Sequence, residues 1–399
     1  MYALIAPDDT MLMWMVVVGV VAIAITCEQR VRWASRINST VQCILFGLVL
    51  ANLRILPFSS PMFSNIDSFL LPLAMPLLLF KSDMRRIMRE SGVTFLIFNI
   101  TALAVFVGTL AFPLIFPNTP YIEEYAAMHV GANIGGTVNA TMLAQIFAVP
   151  TEMVVGLAIA GNFFVGLMII VLGLMYRTKF FKKHLTYGDE GNSEDVEGAA
   201  TAAAAYWSSK GGISFKDIPQ AMAITFAIVG FSTIIARIVN ATEPSFFVGQ
   251  IFGNIWILMT LITTILATIL PKQLGNIRGS DELGSIILLT WFVTIGARAD
   301  LNLIFGSASL VIAAYTMTFI IACVVVFIIG KFFKFHLENM MCCIAASVGG
   351  PGTVAALCVS MRWTKWIVPG VLMALYGVII GNFAGILVGN ILGAAPFGG

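Results

Sequence analysis

Ten long apolar runs constrain the fold of this chain more than any other feature. Each is about as long as a helix must be to cross roughly 30 Å of hydrocarbon. Only 11% of the 399 residues are charged, whereas soluble domains carry about 25%. Lipid offers the backbone no hydrogen bonds, so these runs must fold as helices. They are predicted at residues 11–26, 38–54, 67–81, 93–117, 152–176, 217–239, 246–271, 282–298, 308–332 and 366–393.

The composition and the first run exclude several classes of protein. A net charge of +2 is too small for a protein that binds nucleic acid. The six cysteines show no CxxC or Cys/His spacing, so neither a disulfide framework nor a metal centre is expected. The first run follows Asp8 and Asp9 rather than a basic segment, which favours a permanent helix over a signal peptide. We therefore expect an all-α polytopic membrane protein embedded in a lipid bilayer.

Lysine and arginine indicate the orientation of the spans. Of the 22 basic residues, only Arg54, Arg237 and Arg298 fall in one of the two alternating sets of loops. Because cytoplasmic loops are enriched in Lys and Arg, the other set is predicted to be cytoplasmic. Both termini are then predicted to lie outside.

Two further apolar stretches, 125–147 and 338–360, are rich in Gly, Asn, Ser and Thr. The acidic loop 118–124 is predicted outside and the basic loop after residue 176 inside, so only one net crossing is available between them. Two apolar stretches nevertheless occupy that interval. Residues 125–147 are therefore predicted to form a re-entrant hairpin from the outer face. The same reasoning makes 338–360 a hairpin from the inner face.

The two halves of the chain match weakly in sequence. The segment GANIGGTVNATMLA in the first half aligns with AASVGGPGTVAALC in the second. Because each half has five spans, the second half is inverted relative to the first. We predict an inverted repeat with five transmembrane helices and one broken-helix hairpin per half. The first repeat is 1–176, a cytoplasmic linker is 177–216, and the second repeat is 217–399.

Two aspartates occupy matching places in the repeat. Asp83 and Asp300 each directly follow a span and precede an apolar-periodic segment. Both could be coupling carboxylates, but we interpret them as caps of short interfacial helices.

The two glycine pairs mark the predicted functional site. A Gly-Gly pair breaks a helix and allows close approach to the backbone, and broken backbone at membrane depth persists only where protein or a cavity satisfies it. Two inverted hairpins that meet near the midplane match the geometry of secondary transporter sites. The candidate substrate- and ion-binding residues are Asn133, Gly135, Gly136, Thr137, Asn139, Thr141, Asn162, Ser347, Gly349, Gly350, Pro351 and Thr353.

Within this set, Thr137, Asn139 and Thr353 are expected to contact the solute through side chains, and the glycines through the backbone. The alternative is that small residues merely allow tight helix packing. That alternative is our interpretation of the glycines spaced by four from Gly377 to Gly393.

Other polar residues are weaker candidates. His129, beside Glu123 and Glu124, could shuttle protons at the outer mouth of the first hairpin, but is expected simply to be solvated there. Arg298 lies at the end of its span and is expected to extend to the interface. Asn382, inside the last span, is expected either to line the cavity or to bond a neighbouring helix.

The glycine motifs resemble those of the YjcL-like family of bacterial integral membrane proteins. GGTVNA at 135–140 and GGPGTVAA at 349–356 match the family's two motifs, and the likeness extends over essentially the whole chain. The chain is more distantly similar to sodium-coupled glutamate and citrate symporters. These resemblances imply a scaffold domain, a mobile core carrying both hairpins, elevator-type movement, a homodimer and a bacterial cytoplasmic (inner) membrane. Family members often carry an acid immediately before the residue corresponding to Asn162; this chain has Gly161.

The expected function is secondary active transport of a small polar solute. Coupling to Na⁺ is favoured over H⁺, because no carboxylate lies deep in a predicted span, whereas hydroxyl, amide and carbonyl oxygens are plentiful. Exposed helix amides favour an organic anion. No cofactor is expected beyond Na⁺. A channel or a non-transporting sensor on the same fold is the alternative. An enzyme is not expected, because no HExxH or GxSxG motif occurs.

Overall fold

The chain folds as helices joined by short connections. A computed structural model describes residues 3–31, 39–187, 212–242, 252–299, 301–361 and 363–394. These ranges contain no β-strand, and Thr186 and His336 form an isolated bridge. Asp300, residues 188–211 of the predicted linker and residues 243–251 lie outside the described ranges.

A helix lies at each predicted span. The helices of the first half are α1 (Thr10–Arg30), α2 (Ser39–Asn52), α3 (Pro61–Leu79), α4 (Met84–Ser91), α5 (Val93–Leu110), α6 (Ile122–Gly135), α7 (Thr137–Ile146) and α8 (Thr151–Arg177). Those of the second half are α9 (Asp217–Ala241), α10 (Ile255–Ile269), α11 (Ser280–Arg298), α12 (Leu301–Phe333), α13 (Leu337–Met361) and α14 (Thr364–Leu392). Short helices at Phe112–Ile115, Lys179–His184 and Pro271–Gly275 join some of them.

The lengths and surfaces of these helices are those of a multi-pass membrane protein. Within the described ranges, nine helices are long and apolar enough to cross a membrane, and one of them, α13, is interrupted at Gly350. α2 and α10 are shorter, with 14 and 15 residues, which corresponds to about 21–23 Å. α9 exposes large apolar side chains such as Phe231 and Ile234. An exposed apolar face of this kind suits contact with lipid.

The helices pack in two groups. One, here called the hairpin group, consists of α5, α6, α7, α8, α12, α13 and α14. The other, the flanking group, consists of α1, α2, α3, α9, α10 and α11. Packing is dense within each group, whereas direct contacts between them are few and run mainly through α10 with α14 and through α8 with α2 and α11. The short helix α4 belongs to neither group and contacts both α14 and α10.

Two ion pairs join α3 to α11. Asp67 accepts hydrogen bonds of 2.8 Å from Arg298 Nη1 and from Trp291 Nε1. Beyond the opposite end of α3, Lys81 pairs with Asp281 in the first turn of α11. Arg298 therefore does not extend freely to the interface, because a carboxylate on the neighbouring helix holds it. Asp67 lies in a π-helical turn, Ile66–Leu70.

The short helix α4 is capped as the sequence predicts. The side chain of Asp83 accepts from the backbone N–H groups of Arg85 and Arg86. An acidic cap satisfies free amides at a helix N-terminus and complements its partial positive charge. The interpretation of Asp83 as a cap is confirmed.

Candidate functional site

The helical backbone breaks at the second glycine of each predicted pair. Gly136 has φ 79° and ψ −167°, and Gly350 has φ 73° and ψ −168°. Residues with a side chain rarely adopt such positive φ values, so the two motifs determine where the breaks occur. The breaks lie in different halves of the chain yet have nearly the same backbone conformation.

Both stretches fold back on themselves at these breaks. In α13, the sulfur atoms of Cys342 and Cys358 lie 3.1 Å apart although 16 residues separate them in sequence. A continuous helix would place them about 24 Å apart. Likewise, the side chain of Leu143 on α7 packs directly on Gly131 of α6. The helix pair α6–α7 and the helix α13 are therefore two helical hairpins, here called hairpin one and hairpin two.

The two hairpins meet close to their bends. The hydroxyl of Ser347 donates a hydrogen bond to the main-chain carbonyl of Asn133. Each of these residues lies three positions before its bend glycine, and the alignment of the two motifs pairs them with one another. Both are buried. The bends are thus side by side inside the hairpin group.

The residues at the bends are more accessible than the arms. Apart from the glycine itself and its two chain neighbours, no described residue has an atom within 4 Å of the place where a β-carbon would extend from Gly136 or from Gly350. Thr137 and Pro351, which follow these glycines, are partly exposed, whereas most of the preceding arms is buried. Helices begin at both residues, so the backbone N–H groups of each first turn and their partial positive charge lie at each bend, although Pro351 itself has no N–H.

The residue four positions after the first glycine packs over that glycine in both hairpins. Thr353 covers Gly349, and its hydroxyl donates to the Gly349 carbonyl over 2.7 Å. Asn139 covers Gly135, and its Nδ2 donates to the carbonyl of Val378 on α14 over 3.0 Å. Asn139 therefore lies against the last helix, and Thr353 stabilises its own bend.

Two other predicted residues bond within their own helices. The hydroxyl of Thr141 donates to the carbonyl of Val138 over 2.7 Å. Asn162 Nδ2 donates to the carbonyl of Ala158 over 2.6 Å. Of the predicted set, Thr137, Gly136, Gly350 and Pro351 remain the residues most open at the bends.

A tyrosine occupies the space next to Gly161, the residue that precedes Asn162. A β-carbon at Gly161 would lie 2.6 Å from the hydroxyl oxygen of Tyr315 on α12. Any side chain at this position would displace that buried ring. Gly161 therefore leaves room for a bulky residue on the neighbouring helix.

His129 is not solvated, contrary to the expectation from sequence. It is fully buried. Its Nδ1 lies 3.4 Å from the hydroxyl of Tyr125, and its Nε2 lies 3.0 Å from Asn133 Nδ2 and 3.2 Å from Thr318 Oγ1. Since an amide nitrogen only donates, this orientation of Asn133 corresponds to a neutral imidazole whose Nε2 accepts. The mispredicted exposure reflects α12, whose Thr318 and Tyr315 cover this face of hairpin one.

The glycine stripe of α14 packs hairpin one against the last helix. Gly377 lies against the carbonyl of Ile134, and a β-carbon at Gly381 would be 3.0 Å from the amide nitrogen of Gly135. Gly385 and Gly389 contact the side chains of Leu143 and Phe147. The packing interpretation is confirmed for these four glycines. Gly393, with φ 83°, instead ends the helix.

The sequence reading missed three residues that the structure brings into polar contacts. Asp67 pairs with Arg298, and Tyr315 and Thr318 surround His129. The sequence contained a signal for each residue. Asp67 begins an apolar run, and Tyr315 and Thr318 are polar residues three positions apart inside another apolar run.

The fold and the two paired bends define a class of helical, multi-pass membrane protein with two broken-helix hairpins. The comparisons then identify the family. Residues 15–395 match the family described as protein of unknown function (DUF819), and the chain belongs to that family. It is 31% identical over 391 residues to the uncharacterized membrane protein YjcL of Bacillus subtilis (strain 168), covering 98% of both chains.

Proposed function

We propose that this protein is a secondary active transporter that moves a small polar solute bound between the two bends. One observation carries the proposal: two helix breaks of the same conformation lie side by side, with accessible backbone at each. Broken helices deep in a membrane protein are retained where they line a binding cavity. An apolar packing role would not require open space at both glycines.

The chemistry of the bends favours a small organic anion. Helices begin at Thr137 and just after Gly350, so two helix N-termini lie at neighbouring bends. Their free amides carry partial positive charge and bind anions well. No acidic residue occurs in 131–144 or in 345–358.

An elevator-type movement is the proposed mechanism. Both hairpins belong to the hairpin group, which makes only a few contacts with the flanking group. A densely packed unit with a sparse boundary can shift as a body. Its movement would carry the solute from one face of the membrane to the other. The proposal includes a homodimer in the bacterial inner membrane, as the family resemblance implies.

Coupling to Na⁺ is proposed rather than coupling to H⁺. The imidazole of His129 is neutral and has uncharged hydrogen-bond partners. Hydroxyl, amide and carbonyl oxygens at the hairpins are suitable ligands for a hard cation.

Transport by reconstituted protein tests the proposal. A thermal-shift screen of small metabolites, with Na⁺ or K⁺, first identifies a solute that stabilises the protein. Uptake of that solute into vesicles is then measured under an inward Na⁺ gradient. We expect Gly136→Leu and Gly350→Leu to reduce uptake more than about tenfold, because leucine disfavours positive φ and fills the bend. Gly230→Leu is the control, because Gly230 is helical and has open space beside it.

Three outcomes would count against the proposal. Equal uptake by both bend variants and the control would show that the bends are not the binding site. Uptake that does not depend on Na⁺ would refute the proposed Na⁺ coupling. Single-channel currents would show that the protein is a channel.

A further inference from the structure

Two buried asparagines near hairpin one have amide oxygens without a hydrogen-bond donor. Asn139 and Asn382 are both fully buried, and within the described residues neither Oδ1 atom has a hydrogen-bond partner. Leaving a buried acceptor unsatisfied costs about 1–3 kcal/mol. Two such acceptors close together favour a ligand that donates hydrogen bonds or carries positive charge.

The two asparagines face the same seam between α7 and α14. Asn139 Nδ2 donates to the carbonyl of Val378, which is one helical turn before Asn382. Asn382 Nδ2 in turn lies 3.0 Å from the sulfur of Met142, which is on the same helix as Asn139. These contacts fix the orientation of both side-chain amides. The two Nδ2 atoms contact protein partners, whereas the two Oδ1 atoms have none among the described residues.

α10 of the flanking group closes the seam. Asn382 Nδ2 also donates to the hydroxyl oxygen of Thr260 over 3.3 Å. One turn further along α10, Thr264 is buried and its hydroxyl has no hydrogen-bond partner among the described residues. Thr268, one more turn along, accepts from the backbone N–H of Met84. The three threonines therefore form a stripe that faces α14 and α4.

We infer that this seam binds Na⁺ through Oδ1 of Asn139, Oδ1 of Asn382 and the hydroxyl oxygen of Thr264. All three are neutral, hard oxygen donors, the ligand type that alkali and alkaline-earth cations prefer. No carboxylate of the described residues contacts these side chains, so a single positive charge is matched better than a double one. The inference rests on the proposed Na⁺ coupling. It places the ion between α7 of hairpin one and α14, next to α10.

The position of the seam links the cation to movement. Asn139 and Asn382 belong to the hairpin group, whereas Thr264 belongs to the flanking group. The three oxygens come from both groups, so their spacing depends on the register of the two groups. A cation bound to all three would therefore favour this register over others.

Na⁺-dependent stabilisation of the purified full-length protein tests the site. The melting temperature is measured across a Na⁺ titration at constant ionic strength, with K⁺ as the replacement ion and no other ligand. Thr264→Val and Asn382→Leu remove one oxygen ligand each and keep the branching of the side chain; Asn382→Leu also removes the amide nitrogen that contacts Met142 and Thr260. Thr263→Val is the matched control, because Thr263 is also buried but its hydroxyl donates to the carbonyl of Met259. Equilibrium binding of radioactive Na⁺ provides a second measurement if a variant unfolds early.

The expected result is at least a tenfold weaker apparent Na⁺ affinity in Thr264→Val and Asn382→Leu, with the control unchanged. Equal Na⁺ affinity in all variants would overturn the site while leaving Na⁺ coupling intact, with the ion elsewhere. No Na⁺ effect on the unmodified protein would mean that water alone satisfies the oxygens, which also overturns the site. Na⁺-driven uptake, measured separately, decides the proposed function in either case.

Discussion

A cysteine pair allows the shape of hairpin two to be tested directly. The sulfur atoms of Cys342 and Cys358 are 3.1 Å apart, and a disulfide requires about 2.05 Å. A movement of about 1 Å would therefore permit a bond between the two arms. In an uninterrupted helix the same residues would be separated by about 24 Å and no bond could form.

The neighbouring Cys343 provides a matched control. One residue along a helix rotates the side chain by about 100°, and Cys343 Sγ accordingly points to the carbonyl of Thr94 on α5. Two proteins are compared, each with two cysteines: one keeps Cys342 and Cys358, the other keeps Cys343 and Cys358. All remaining cysteines are replaced by alanine.

The assay is oxidation in native membranes, followed by alkylation of free thiols and intact-mass measurement. For the first pair we expect alkylation to be lost almost completely after oxidation. For the second pair we expect less than about one tenth of the alkylation to be lost, because only the first pair reaches bonding distance after a small movement. Full alkylation of the first pair would refute the fold-back at Gly350. Equal crosslinking of both pairs would show that the arms lack a fixed register.

Three further substitutions test the packing and the polar contacts. Gly377→Ala should destabilise the protein by about 1–3 kcal/mol, because its β-carbon meets a main-chain carbonyl of hairpin one; Gly230→Ala should not, and thermal unfolding in detergent distinguishes them. Asp67→Asn should lower the free energy of unfolding by about 1–3 kcal/mol, because it leaves Arg298 without its charged partner. Adding Arg298→Gln to this variant should recover part of the lost stability. Losses that simply add in the double variant would argue against an interaction between the two residues. His129→Gln should leave the pH dependence of uptake unchanged between about pH 5.5 and 8, because the imidazole is already neutral in its hydrogen bonds; a shifted profile would assign the histidine a role in proton coupling.

Much of the architecture could be read from local sequence. The apolar runs locate a helix at every predicted span because a chain in lipid has few other ways to satisfy its backbone. The positions of the bends also follow from local chemistry. Gly136 and Gly350 have φ values that glycine adopts without strain, and the same motif produces the same break in each half. The cap at Asp83 is equally local, since its partners are two and three residues away.

The surroundings of individual polar side chains were decided by tertiary structure. His129, Arg298 and Asn139 each lie at a position that sequence suggests is open to water or solute, yet their partners are on helices far away in the chain. The hydrophobic pattern of a span fixes that it is buried in the membrane, but it does not fix which neighbour faces a given side chain. That choice depends on how the helices pack against one another, and packing joins residues that no short segment contains.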